Sequence, residues 1–158
     1  MALSKLDNLY RQVVLDHAMH PHHHGSLKRA DHQMEIRNPT CGDVLNVEVA
    51  LKDGKVSEIA FSGSGCTISQ ASASMMTDEV IGKTPAQISQ MVETFSEMVI
   101  GNPPADYEKL LGDAAILEGV AKFPARIKCA TLAWKAVYQA VGNENGEASA
   151  GIMRHEQL

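Results

Sequence analysis

The chain has 158 residues, 44% hydrophobic and 21% charged, enough apolar material for the core of one ordinary domain. A formal net charge of -5 argues against a phosphate-binding surface, so no nucleic-acid partner is expected. Three widely separated cysteines do not form the framework of a small disulfide-stapled secreted protein, residues 1–14 offer no export signal, and no apolar run approaches the roughly 20 residues that span a bilayer. A cytoplasmic, monomeric protein with reduced thiols and no membrane contact is the expectation.

Leu6, Leu9, Tyr10, Val13, Val14 and His17 recur at helical spacing behind Ser4, a candidate N-cap, and predict an amphipathic helix that ends near Pro21. A histidine-rich loop follows, with His20, His22, His23 and His24 before Gly25. Met34 and Ile36 alternate with polar residues up to Pro39, which predicts a short strand. Leu45, Val47, Val49 and Leu51 alternate with Asn46 and Glu48, the period of a strand with one buried face. Asp53-Gly54 supplies a hairpin turn, and the return strand covers residues 56–62 with Ile59 and Phe61 on a shared face.

Gly63, Ser64 and Gly65 read as a glycine-rich loop opening a helix over residues 66–77, whose alanines and serines permit close packing. Thr84 and Pro85 open a second helix carrying Ile88, Met91, Val92, Phe95, Met98 and Val99, and Asn102-Pro103-Pro104 stops it. Short helical pieces are expected over residues 107–111 and 114–122. Pro124 then opens a last helix with the stripe Ile127, Ala130, Thr131, Trp134, Val137, Tyr138 and Val141, ending at Gly142. Residues 1–142 form a single domain of α+β class in this reading, and 143–158 a polar, mobile tail.

All three cysteines fall at element ends. Cys41 lies in the loop between the first two strands, Cys66 at a loop-to-helix junction, and Cys129 near the start of the last helix. The unpaired N–H groups of a helix start favour a thiolate at Cys66, and Arg126 and Lys128 offer positive charge beside Cys129. Asp43, two residues beyond Cys41, is the candidate oxygen donor that completes a tetrahedral zinc shell. Three thiolates and a carboxylate around a dication leave two negative charges, which gives Arg126 a purpose. A thiolate-rich set suits an iron-sulfur cluster as well, and a buried cysteine also serves as a small hydrophobe. Four imidazoles in one loop hold no fixed geometry, so the histidine run reads as a solvated loop, and His17 as a hydrogen-bonded core residue.

Four segments carry a resemblance: YRQVVLDH with the following P-x-x-x-G, NPTCGD at 38–43, GSGCTISQASASMMT at 63–77 and FPARIKCATLAWKA at 123–136. Over residues 3–142 the chain resembles the IscU/NifU-type iron-sulfur cluster assembly family, and within it the SufU branch. The resemblance implies a small three-stranded antiparallel sheet with helices packed on it. It also implies Cys41, Asp43, Cys66 and Cys129 as ligands of zinc or of a cluster. Proteins of the SufU branch bind zinc and accept persulfide sulfur from a cysteine desulfurase (SufS-like) upstream of other SUF assembly components, whereas the IscU branch builds a [2Fe-2S] cluster on the equivalent cysteines.

Departures from the IscU pattern favour the SufU branch. Lys128 stands where that branch has a histidine before its last cysteine, and Phe123-Pro124-Ala125-Arg126-Ile127 replaces the chaperone-recognised LPPVK motif. The stretch 102–117 resembles the SufU insertion. The implied role is a sulfur carrier rather than a stand-alone enzyme. Cys41, borne on a loop, is the expected persulfide acceptor, and Arg126 and Lys128 are accessory.

Overall fold

The sheet grows from a hairpin that its sequence specifies closely. Asp53 and Gly54 have φ of 56° and 76°, the paired left-handed geometry of a two-residue turn, and Lys52 pairs directly with Lys55 across it. The computed structural model of the protein describes residues 3–39 and 42–142. In it β1 (His32–Asn38), β2 (Asp43–Lys52) and β3 (Lys55–Ser64) form an antiparallel sheet in the order β1-β2-β3. Along β2 the side chains of Asp43, Leu45, Val47 and Val49 are buried while Val44, Asn46 and Glu48 are less so. The alternation ends at a register shift between Ala50 and Leu51.

Five helices accompany the sheet: α1 (Leu3–Met19), α2 (Thr67–Val80), α3 (Pro85–Val99), α4 (Tyr107–Leu111) and α5 (Ile127–Gly142). α5 packs over β1 and β2 and against α2 and α3, and α1 packs on α2. The small residues of α2 allow that approach. Ser72 Oγ donates to the Ala130 carbonyl at 2.5 Å and accepts from Trp134 Nε1 at 3.0 Å, and Ser69, Ala71, Ala73 and Ser74 are buried. Trp134 stacks on Phe95 with centroids 4.5 Å apart, and Met75, Met76, Met91 and Met98 are wholly buried, filling the core as unbranched side chains do. Thr84 and Gln87 form a reciprocal capping box at the start of α3, with Pro85 in its first turn.

Three boundaries differ from the sequence expectation. α1 already includes Ser4, so its start precedes the expected cap. Gly63 and Ser64 belong to β3 rather than to a loop. Gly63 lies opposite Leu45 with φ of 121°, where a Cβ would strike the Val44 carbonyl oxygen, so the strand continues only because the residue is glycine. The helical pieces expected over 107–111 and 114–122 are α4 and a 3-10 helix, Gly112–Lys122, but Pro124–Arg126 forms a separate 3-10 turn, so α5 opens at Ile127 rather than at Pro124. Tyr107 Oη donates to Glu118 Oε2 at 2.7 Å and ties α4 to that 3-10 helix. No helix among the described residues is long and apolar enough to cross a membrane. The expected tail, 143–158, lies outside the described residues.

Candidate metal centre

Asp43 opens β2 on the strand's inward face, in phase with Leu45 and Val47, so the alternation that buries the core carries its carboxylate inward as well. It faces Asn38 across the β1–β2 pairing, and both are buried. The short connection between them is closed by Gly42, whose N–H donates to the Asn38 carbonyl at 2.8 Å. Cys41, expected in this connection as ligand and sulfur acceptor, lies outside the described residues.

Cys66 is the N-cap of α2, as the glycine-rich approach suggested. Its Sγ accepts the Ser69 N–H at 3.5 Å, and Ser69 Oγ donates to the Cys66 carbonyl at 3.0 Å. Its own backbone N–H donates to Asp43 Oδ1 at 2.9 Å. Gly65 makes that contact sterically possible: a Cβ there would sit 2.9 Å from Asp43 Oδ1 and would also overlap Ser69 Oγ. Cys129, in the first turn of α5, is fully buried, with Asn38 Nδ2 3.9 Å from its Sγ.

These elements bring one donor atom each from Asp43, Cys66 and Cys129 within 4.8 Å of one another. The donors fit a metal. Asp43 Oδ2 is buried and has no hydrogen-bond partner among the described residues. Leaving such an atom unpaired costs about 1–3 kcal/mol, a penalty that a cation beside it would remove. Two sulfurs and a carboxylate oxygen are the donor types of zinc, whose ligand atoms stand roughly 3.3–3.8 Å apart around a tetrahedral ion.

Lys128 lies in the first turn of α5 next to Cys129, and Arg126 immediately before that helix. Arg126 ends the 3-10 turn ahead of α5 and is exposed, because Pro124 starts a tighter winding that reaches α-helix only at Ile127. Lys128 is also exposed and lines a 260 Å³ cavity with Ser96, Ile100, Ile127, Thr131 and Lys135.

His20, His22, His23 and His24 are exposed, as the solvated reading expects, but the loop backbone is ordered. The His23 carbonyl accepts the Phe61 N–H at 3.0 Å and Gly25 N–H donates to the Phe61 carbonyl at 2.8 Å, so the loop is stitched to the edge of β3. His17 is buried, with Nδ1 2.7 Å from Ser74 Oγ, in the structural role expected of it. Burial pushes its imidazole pKa down, His22 adds to that, and Asp78, Asp16 and Asp113 oppose it. Asn38, Gly65 and Ser69, which frame the donor cluster, escaped sequence reasoning. The inward phase shared by positions 43, 45 and 47 was the available signal for the depth of Asp43.

An α+β domain that gathers thiol and carboxylate donors where a strand start meets two helix starts is, by class, a metal- or cluster-ligating protein. Residues 9–130 match the family of NifU-like N terminal domains. The chain is 54% identical over 142 residues to the iron-sulfur cluster assembly scaffold protein IscU of Streptococcus pyogenes serotype M1, covering 89% of this chain and 87% of that one. It is 45% identical to the zinc-dependent sulfurtransferase SufU of Bacillus subtilis strain 168, covering 90% and 96%. Its fold is similar to the crystal structure of the N-terminal part of a nitrogen-fixing NifU-like protein from Brucella abortus, with a TM-score of 0.80 and 27% identity over 92% of this chain and all of that one. The chain belongs to the IscU/NifU-type family of iron-sulfur cluster assembly proteins.

Proposed function

We propose that the protein is a zinc-holding sulfur acceptor that takes persulfide sulfur from a cysteine desulfurase and passes it to downstream SUF assembly components. The observation that carries this reading is the convergence of Asp43, Cys66 and Cys129 around a buried carboxylate oxygen with no hydrogen-bond partner among the described residues. With Cys41 they supply the four-ligand set of a zinc site. Zinc, when bound, holds thiols as thiolates at neutral pH and keeps them from oxidation. The B. subtilis relative, described as a zinc-dependent sulfurtransferase, supports the same reading, as does Lys128, which fills with an exposed cation the place where the IscU branch has an imidazole.

The chemistry assigned to Cys41 is a thiol-persulfide exchange. Its thiolate attacks the terminal sulfur of the desulfurase persulfide, a bond forms between the two sulfurs, and the desulfurase cysteine leaves as thiolate. No net oxidant is needed, since the sulfane sulfur moves at its existing oxidation level. Asp43 anchors the helix start that carries Cys66, and Arg126 offsets negative charge near the site from its exposed position. The protein acts in the cytoplasm in this reading, as a monomer.

A second reading, a scaffold on which a [2Fe-2S] or other iron-sulfur cluster is built and transferred, draws support from the S. pyogenes relative described as a scaffold. Alanine production from cysteine by a SufS-like desulfurase, with and without the zinc-loaded protein, separates the two. A large rise that vanishes in Cys41→Ser is expected of the sulfur acceptor. No rise, together with a coloured and transferable cluster after anaerobic reconstitution, would replace that reading with the scaffold.

A further inference from the structure

The far end of α2 carries a second group of metal donors, unrelated to the cysteines. Asp78 lies in the last turn of the helix, twelve residues from Cys66, which is about 18 Å at 1.5 Å per residue. His17 reaches it from the last turn of α1, and His22 from the loop that follows. One donor atom from each of His17, His22 and Asp78 lies within 4.8 Å of the others. The two imidazole rings have centroids 4.6 Å apart, at 48° to each other.

The arrangement is held from behind. Ser74 Oγ lies 2.7 Å from His17 Nδ1 and accepts the backbone N–H of His22 at 2.8 Å, so one buried hydroxyl fixes both histidines. Thr77 Oγ1 donates to the Ser74 carbonyl at 2.7 Å and lies 3.0 Å from His23 Nδ1. The loop backbone is tied down by the His20 N–H to the Asp16 carbonyl at 2.8 Å and by the two bonds to Phe61. Binding here would therefore pay little loop-ordering entropy.

His22 Nδ1 and Asp78 Oδ2 are 2.6 Å apart, the separation of a short charge-assisted hydrogen bond. Two ligands of one ion stand farther apart, at roughly 3.0 Å or more, so a cation would enter between them in place of the shared proton. In its neutral Nε2–H tautomer His22 ligates through Nδ1. His23 Nδ1, 3.5 Å from Asp78 Oδ1, flanks the other carboxylate oxygen. His22 and Asp78 are exposed and His17 is buried, which leaves the outer coordination positions open to water.

We infer that His17, His22 and Asp78 form a second metal site, selective for a divalent cation of the nickel-copper-zinc group, that clasps α1 and the histidine loop to the C-terminal end of α2. Two imidazole nitrogens with one carboxylate suit those ions and disfavour Mg²⁺ and Ca²⁺, which take oxygen ligands. The inference does not rest on the sulfur-acceptor reading, since none of its ligands belongs to the cysteine centre.

The test is a titration of the metal-free full-length protein with Co²⁺ and with Zn²⁺. Two equivalents are expected: one giving thiolate-to-cobalt charge-transfer absorption, and one adding only weak visible bands typical of nitrogen and oxygen ligands. His22→Ala and Asp78→Asn, both at exposed positions, should each weaken the second equivalent at least tenfold and leave the thiolate absorption unchanged. Far-UV circular dichroism verifies the fold of each variant, and His17→Gln supplies an independent ligand deletion. His20→Ala, which removes a neighbouring histidine of the same loop, should leave both equivalents in place. A single equivalent in the unmodified chain would overturn the inference. So would a second equivalent that survives both variants, or one lost equally in His20→Ala.

Discussion

Asp43 Oδ1 accepts the backbone N–H of Cys66 at 2.9 Å while its buried Oδ2 accepts no hydrogen bond among the described residues. One oxygen of the carboxylate therefore fixes a helix start and the other stands ready for a ligand. The two tasks can be separated by substitution. Asp43→Asn keeps an oxygen that accepts the Cys66 N–H and removes the anionic donor. Zinc affinity should fall at least tenfold, a loss of about 1.4 kcal/mol or more, with the metal-free protein melting close to the parent. Competition against a chromophoric chelator measures the first and thermal denaturation the second. Unchanged affinity would remove Asp43 from the ligand set.

Gly65 tests the same arrangement from its other side. A methyl group there would lie 2.9 Å from Asp43 Oδ1 and overlap Ser69 Oγ, both of which bond to Cys66. The neighbours that must yield are the ones that position the thiol. Gly65→Ala should cost about 1–3 kcal/mol of stability and should weaken zinc binding as strongly as Asp43→Asn. Chemical denaturation of the metal-free and metal-loaded forms reports both effects. An alanine variant that binds zinc normally would show that Asp43 can move without consequence.

Much of this architecture was legible in the sequence because it rests on local signals. Asp53-Gly54 could form only a tight hairpin, the period-two run at 45–49 could bury only one face, and Thr84-Pro85 gave the start of α3. The donor cluster was legible in part for the same reason: Asp43, Cys66 and Cys129 lie at element ends. What escaped depends on contacts between distant segments. The histidine loop has no periodicity of its own, and its order comes from Ser74, Thr77, Asp78 and Phe61, more than thirty residues away. Its local composition gave the solvated reading, which its exposed side chains keep, but not the order that the fold imposes. Likewise Pro124 signals a helix start, but the turn it opens is 3-10 and α5 begins only at Ile127.

Metal removal gives a measure that does not depend on activity. The apolar core of α2, α3, α5 and the sheet excludes the donor cluster, so the metal-free chain should stay folded. A ligand at a thousand times its dissociation constant stabilises by about 4 kcal/mol. For a chain of this size that is a shift of about 8–16 °C in Tm. Chelation should lower Tm on that scale in the parent and by much less in Cys129→Ser. Equal shifts in the two would place the responsible metal elsewhere, and His22→Ala would then show whether the far end of α2 holds it.

The insertion between α3 and α5 can be followed through one hydroxyl. The hydrogen bond to Glu118, followed by smaller contributions from burial and from the charges of Glu118 and Glu108, pushes the Tyr107 pKa up to about 12. An acid whose pKa is raised on folding contributes stability that is fully present below its unfolded value near 10 and lost as pH climbs toward the folded value. Tyr107 should therefore resist ionisation in an ultraviolet titration between pH 9 and 12. Tyr10, raised by burial alone, needs separating from it. Glu118→Gln should draw one phenol back toward pH 10, whereas Tyr107→Phe should delete that same step. If Glu118→Gln leaves the titration unchanged, the bond between α4 and the following 3-10 helix does not persist in solution, and the insertion is held by its apolar contacts, Leu111, Ala114, Leu117 and Val120, alone.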